Sequence, residues 1–98
     1  MQFLLLGYDG KDPEAPTRRM AVRNEHLEHA RKLREAGKLL LGGAILDDDG
    51  KMIGSCMVFE VESRDEFDEI LARDPYTVGK VWQDVSVQPF KAAGVVAR

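Results

Sequence analysis

The sequence predicts a single α+β domain whose elements follow the order strand, helix, strand, strand, helix, strand. Short apolar runs bounded by turn residues indicate the strands, and apolar residues at helical spacing indicate the two helices. The length of 98 residues leaves room for one domain. This order of elements is the ferredoxin-like βαββαβ pattern, with a four-stranded antiparallel sheet and both helices on one face.

The first half of the chain predicts a strand, a helix and a second strand. Residues 3–8 form a short apolar run closed by an Asp-Gly turn, and two prolines within 11–16 indicate a loop. A short turn over 17–22 and a main helix over about 24–36 follow, and Gly37 is expected to end that helix in a left-handed conformation. Residues 39–46 predict the second strand, interrupted by Gly42 and Gly43.

The second half predicts a strand, a helix and a final strand. Residues 53–62 alternate with period two, and Ser63 followed by Glu66 is a capping box that starts the second helix. Pro75 disfavours helical geometry in the residue before it, so this helix is expected to end near Asp74. Residues 81–90 predict the fourth strand. The domain is therefore assigned to residues 1–91, and residues 92–98 to a C-terminal tail.

Composition narrows the classes of function. A net charge of −3 and an acidic pI argue against a nucleic-acid partner, which usually meets a basic face. One cysteine excludes an internal disulfide framework, and the N-terminal apolar run is too short for a signal peptide or a membrane span. We therefore expect a cytoplasmic protein with no membrane partner.

One face of the predicted sheet is too apolar to remain in water. Period-two alternation places Cys56, Val58, Trp82 and Phe90 on the face away from the helices. A second copy of the chain packing sheet to sheet would cover these side chains, so a homodimer is expected.

The most informative residue is His26, which we expect near the start of the main helix. Leu27, Ala30 and Leu33 define the apolar stripe of this helix, and His26 falls at the centre of the stripe. A histidine aimed at the core needs a polar partner, because burying an unpaired polar group costs a few kcal/mol.

The predicted topology supplies that partner. Antiparallel packing of the two helices brings the start of the first to the end of the second, where Asp74 lies. A carboxylate at a helix C-terminus is electrostatically unfavourable, and a donor such as His26 or Arg23 would offset this. The same rim collects further polar side chains, which are Tyr8, Ser55 and Tyr76.

Other candidates are weaker. His29 lies off the centre of the stripe, and His26 with His29 lacks the further ligands that complete a metal site, so no metal is predicted. Arg18 and Arg19 are interpreted as a solvated pair, and Met20 as a core residue. The sequence has no glycine-rich phosphate motif, so no cofactor is predicted.

Several short motifs together resemble the YciI-like (YCII-related) proteins, and they span the chain from the first strand to Lys91. The motifs are Arg23-x-x-His26-Leu27, Gly37, Gly42-Gly43, Gly54-Ser55, Asp74-Pro75-Tyr76 and Val87-x-Pro89-Phe90-Lys91. The resemblance implies a ferredoxin-like fold of the dimeric α/β-barrel type, with a histidine–aspartate dyad that maps to His26 and Asp74. A dehydrochlorinase of a chlorinated hydroquinone among related proteins implies elimination or proton transfer. The connection over 47–52 is shorter than in the family's longer versions, which leaves the substrate open.

Three functional hypotheses follow. The leading one is a small cofactor-independent enzyme, lyase-, dehydrochlorinase- or isomerase-like, in which His26 is the general base and Asp74 orients it. In this hypothesis Arg23, Ser55, Tyr76 and Tyr8 bind a small anionic or phenolic substrate. The alternatives are a non-catalytic small-molecule-binding or accessory module, and a dimerisation domain in which the His–Asp pair only joins two elements.

Overall fold

A computed structural model describes residues 1–94 of the chain. In chain order the elements are β1 (Gln2–Asp9), α1 (Ala15–Glu35), β2 (Leu39–Leu46), β3 (Met52–Glu60), α2 (Arg64–Arg73), α3 (Pro75–Val78) and β4 (Trp82–Phe90). Within this range the strands form a sheet in the order β2-β3-β1-β4, and each neighbouring pair is antiparallel. The predicted ferredoxin-like βαββαβ fold is confirmed. Of the predicted tail, residues 95–98 lie outside the described part.

The core lies between the helices and one face of the sheet. Phe67 of α2 is fully buried, and its ring lies 5.1 Å from that of Phe3 and 5.3 Å from that of Phe59, centroid to centroid. Partly buried side chains of α1 complete the layer, namely Val22, Ala30 and Leu33. All of these contacts lie on one face of the sheet, so both helices pack against that face, as predicted.

The first helix is longer than the sequence indicated. We expected it to start at about residue 24, but α1 is continuous from Ala15. Pro16 lies in the first turn, where proline removes a backbone donor that no helical acceptor would have used. Two expected core positions on this helix are exposed: Met20 and Leu27 are 57% and 45% accessible to solvent. Gly37 follows the helix at φ 76°, as predicted.

The second helix starts as the capping box predicts. Ser63 is extended, and its hydroxyl accepts a hydrogen bond from the backbone N–H of Glu66 at 3.1 Å. The helix ends at Arg73, and a short helix that was not predicted, α3, begins directly after Asp74. Asp74 is therefore a non-helical residue between two helices, and it does not continue the buried stripe of α2.

The predicted position of Trp82 is wrong. Strict alternation placed it on the outer face of the sheet, away from the helices. In the structure the register between β1 and β4 shifts after Tyr8, so that Tyr8 pairs with Asp84 and Asp9 pairs with Trp82. The extra residue turns the indole onto the helix face, where Trp82 joins the core above Gly7.

The outer face of the sheet is apolar even without Trp82. Leu41 of β2 and Phe90 of β4 are 56% and 41% exposed there. The central strands contribute further apolar side chains to the same face, which are Leu4, Leu6, Cys56 and Val58. The structure describes one chain, so the homodimer inferred from this face stays a prediction.

Candidate active site

His26 is buried near the middle of α1 rather than at its start. It is 7% exposed, and its Nδ1 lies 2.7 Å from Oδ1 of Asp74, which is 2% exposed. The predicted pairing of the two side chains is therefore present, although the helix start from which we argued is wrong. Because an ionised carboxylate only accepts hydrogen bonds, Nδ1 carries a proton, and in the neutral imidazole Nε2 is then the nitrogen with the free lone pair.

Asp74 is held by the backbone as well as by His26. It ends α2 with extended geometry and caps α3, where its Oδ1 also accepts the backbone N–H of Tyr76 at 2.9 Å. The carboxylate thus sits at a helix start, where negative charge is favourable. The donors His26 and the backbone N–H of Tyr76 offset the electrostatic misfit expected at the end of α2.

Two aromatic rings fix the plane of the imidazole. Tyr76 stacks on His26 with a centroid distance of 3.8 Å and an interplanar angle of 10°. Trp82 meets the imidazole edge-on, at 5.9 Å and 84°. Rotation of the buried imidazole would disturb both contacts, so the direction of Nε2 is constrained by packing as well as by Asp74.

Arg19 joins this cluster, although it was predicted to be solvated. Its side chain is 4% exposed, and Nη1 lies 3.0 Å from Oδ1 of Asp9. The guanidinium carbon also lies 4.7 Å from the ring centroid of Tyr76. A sequence signal for Arg19 existed. It lies seven residues before His26, close to two helical turns, and would have shared the histidine's face had the helix been extended backwards.

Ser55 lies in the same cluster, as predicted. Its Oγ accepts one hydrogen bond from Nη2 of Arg19 and one from Nε1 of Trp82, both at 3.2 Å. Neither donor uses the hydroxyl proton of Ser55, so that proton remains available for a ligand.

Tyr76 combines a buried ring with two nearby positive charges. Burial raises the pKa of its phenol above the ordinary value of 10.0, while the charges of Arg19 and Arg23 act in the opposite direction. The phenol is therefore neutral near pH 7 and keeps a proton to donate. Arg23 is half-buried and lines the same cleft as His26.

Tyr8 does not belong to this group, which corrects the prediction. It alternates with Gly7 and Asp9, both of which face the helices, so Tyr8 points to the opposite face of the sheet. It is 39% exposed there. The sequence placed it at the correct end of the domain but not on the correct face.

A cleft of about 1170 Å³ is lined by α1, β2 and β3, and its lining also includes Val58 and Phe90 from the outer face of the sheet. Its polar part contains His26, Arg19, Arg23, Ser55 and Tyr76, and its apolar part includes Leu27, Ala30, Leu40 and Met57. This combination of a mostly apolar surface with a few polar groups is typical of small-molecule sites.

His29 lies one turn after His26 and faces the other oxygen of the aspartate. Its Nδ1 is 3.6 Å from Oδ2 of Asp74, too far for a hydrogen bond, and within residues 1–94 it has no hydrogen-bond partner. In the part of the chain that the structure describes, no group of three histidine, cysteine, aspartate or glutamate side chains is arranged to hold a metal. No helix between residues 1 and 94 is long and apolar enough to span a membrane.

Comparison with known proteins identifies the family. Residues 1–91 match the YCII-related domain family. The chain belongs to this family. Protein YciI of Escherichia coli is 34% identical over 97 residues, which covers 93% of this chain and 97% of YciI.

Two solved structures have the same fold. The first is 5-chloro-2-hydroxyhydroquinone dehydrochlorinase (TftG) from Burkholderia phenoliruptrix AC1100, in complex with 2,5-dihydroxybenzoquinone. It is 29% identical to this chain, with a TM-score of 0.80 and coverage of 93% of this chain and 94% of TftG. Rv0793 from Mycobacterium tuberculosis is 18% identical, with a TM-score of 0.53 and coverage of 95% and 97%. Both similarities agree with the ferredoxin-like βαββαβ fold.

Proposed function

We propose that this YCII-related protein is a small acid–base enzyme that uses no cofactor and catalyses proton transfer or elimination on a small ring metabolite. In this proposal His26 is the general base and Asp74 orients it. The observation that carries the proposal is the buried 2.7 Å contact between Nδ1 of His26 and Oδ1 of Asp74 within a ligand-sized cleft.

The dyad geometry suits proton abstraction. While Nδ1–H of His26 donates a hydrogen bond to Asp74, Nε2 accepts a proton from the substrate, and the carboxylate stabilises the imidazolium that forms. The electron pair freed on the substrate forms a new double bond while the leaving group departs with its bonding pair. Loss of the proton from Nε2 to water restores the base.

Three neighbouring groups would bind the oxygen atoms of the substrate. The guanidinium of Arg23 provides positive charge in the cleft, and the Ser55 hydroxyl has a proton that its two donors leave unused. The neutral phenol of Tyr76 is a further donor. An oxygen-rich ring in its anionic form would match these groups.

The likeness to TftG supports this choice of substrate class. TftG is a dehydrochlorinase of a hydroxylated ring, and it is 29% identical to this chain over nearly the whole length of both. We extend from it only the reaction type, elimination from a small hydroxylated ring.

The decisive experiment is to measure chloride released from 5-chloro-2-hydroxyhydroquinone under anaerobic conditions. We expect release by the wild type and a loss of about 100-fold or more in His26→Ala, since general-base catalysis contributes roughly 10²–10⁴. Asp74→Asn should reduce turnover while keeping an oxygen for the backbone N–H of Tyr76. Glu25→Gln, an exposed change on α1, is the matched control.

Circular dichroism would establish that each variant is folded. Turnover that is unchanged in a folded His26→Ala variant would contradict the proposal. Binding of the compound without chloride release would instead favour a non-catalytic binding module. A His26→Gln variant that mainly loses stability would favour a structural His–Asp pair.

A further inference from the structure

The cleft wall formed by β2 carries almost no side chains. Gly42, Gly43 and Ala44 follow one another there, and all three line the cleft. In the β2–β3 register Gly42 lies opposite Met57, and Ala44 lies opposite Ser55. Directly paired residues point to the same face of a sheet, so Gly42 and Ala44 face α1 and the site, whereas Gly43 faces the other side.

The fold itself does not require glycine at position 42. Among residues 1–94 the glycines with positive φ are Gly37, Gly50 and Gly94, so the backbone at Gly42 is open to any residue. A Cβ added at Gly42 would meet only Cδ2 of Leu39 at 3.6 Å and Cγ of Met57 at 3.9 Å, which are ordinary contacts.

At two other glycines of the same sheet, an added Cβ would clash with neighbouring atoms. A Cβ at Gly7 would lie 2.7 Å from the indole of Trp82, and one at Gly54 would lie 2.7 Å from the carbonyl oxygen of Gly7. Packing therefore demands glycine at those two positions. At Gly42 a larger side chain would meet no steric conflict within the protein, and it would favour a strand more than glycine does. That side chain would occupy space in the cleft.

We propose that Gly42 determines substrate shape, because its missing side chain leaves room for a planar ring to lie flat against β2. The facing wall of α1 presents Leu27 and Ala30 to the other side of such a ring. The polar groups around His26 lie at one end of the cleft, so the ring's oxygen substituents would be directed there. This inference rests on the ring substrate of the proposed function. It adds that Gly42 is the residue that favours planar substrates over bulkier ones.

Binding of 2,5-dihydroxybenzoquinone to the purified full-length chain tests the proposal. We expect the wild type to bind the compound and Gly42→Val to bind it at least about tenfold more weakly, as expected for overfilling a fitted space. Gly42→Ala should show a smaller loss. Ala72→Val is the control, because Ala72 is an exposed residue of α2 outside the cleft lining, and its affinity should stay within about twofold of wild type.

Thermal unfolding separates this effect from misfolding. Valine suits an exposed strand better than glycine, so Gly42→Val should unfold at or above the wild-type temperature, and Ala72→Val should unfold close to it. Equal affinity of Gly42→Val and wild type for the compound, or no binding by the wild type, would overturn the proposal.

The same variants separate this inference from the acid–base proposal. If the ring compound binds in a way that depends on Gly42 but no chloride is released, the general-base role of His26 is contradicted and the role of Gly42 is retained. If Gly42→Val releases chloride as fast as the wild type, the proposed position of the ring against β2 is contradicted and the acid–base proposal is retained.

Discussion

Asp74 determines the geometry of the site. It ends α2, caps α3 through the N–H of Tyr76, and accepts a hydrogen bond from Nδ1 of His26. A carboxylate that is 2% exposed is stable only when its oxygens are hydrogen-bonded. Because both bonds to Oδ1 come from fixed donors, the imidazole of His26 is oriented before any ligand arrives.

The contribution of Tyr76 to stability should depend on pH. Burial raises the pKa of its phenol above 10.0 in the folded protein, so the folded state holds this proton more tightly than the unfolded chain does. The resulting stabilisation is fully present below the unfolded pKa and is lost as the pH rises through the folded pKa. Tyr76→Phe keeps an aromatic ring beside His26 but has no phenol to titrate.

Chemical denaturation of wild type and Tyr76→Phe across the alkaline range measures this effect. The difference in free energy of unfolding between them should be constant from about pH 8 to 9.5 and should move against the wild type above about pH 10. Subtracting the variant removes the titration of lysines and of Tyr8, which both proteins share. A difference that moves in favour of the wild type above pH 10 would contradict the prediction.

At the scale of elements, the sequence predicted the site better than it predicted the helix that carries it. The predicted topology paired His26 with Asp74 correctly, although it placed His26 at a helix start and the residue lies near the middle of α1. Arg19 was missed because prolines at 13 and 16 were interpreted as a loop, although proline is compatible with a first helical turn. With α1 beginning at Ala15, Arg19, Arg23 and His26 share one helical face.

The position of Trp82 shows a different limit of prediction. A bulge after Tyr8 reverses which residues of the adjoining part of β4 face the helices, and period-two alternation carries no information about where a bulge occurs. The sheet order and the helix face were predictable from the pattern of elements. The face of one residue beside the bulge was not.

Packing between β1 and β4 depends on Gly7. A Cβ at this position would lie 2.7 Å from Cγ and Cδ2 of Trp82, so Gly7→Ala must displace the indole. Overpacking of this kind costs about 1–3 kcal/mol of the free energy of unfolding. The chain has one tryptophan, so its fluorescence emission reports the displacement directly.

Gly43→Ala is the control for this change, since a Cβ there meets no atom within 4 Å. We expect Gly7→Ala to be less stable than Gly43→Ala and to shift the tryptophan emission. The displaced indole should also loosen the hydrogen bond from Trp82 to Ser55, which links this packing to the cleft. Equal stability and identical emission in the two variants would contradict the packing argument.

At the scale of the whole molecule, the fold divides the sheet into two surfaces with different roles. The helix face holds the core and the polar cluster, in which β1, α1, β3, the start of α3 and β4 each contribute a side chain. The outer face has no covering helix or strand in residues 1–94. It exposes the apolar side chains of Leu41 and Phe90 and part of Leu6. Apolar surface of this kind favours association.

We therefore expect the wild type to sediment as a homodimer, at twice the monomer mass of 11.0 kDa. Leu6 lies on a central strand of the outer face, so Leu6→Arg would bury a charge in a sheet-to-sheet interface and should shift sedimentation to the monomer. Val78→Arg is the matched control, because Val78 lies on α3, on the helix side of the sheet, and is 69% exposed.

Dimerisation through the outer face would also affect ligand binding in the cleft. Leu41 lines the cleft and lies on the outer face of the edge strand β2, so a partner seated on that face would reach the cleft's rim. Leu6→Arg should then weaken binding of 2,5-dihydroxybenzoquinone in step with the loss of dimer, while Val78→Arg should leave both unchanged. A wild type that sediments as a monomer at all concentrations would show that the outer face is solvated and that one chain forms the whole cleft.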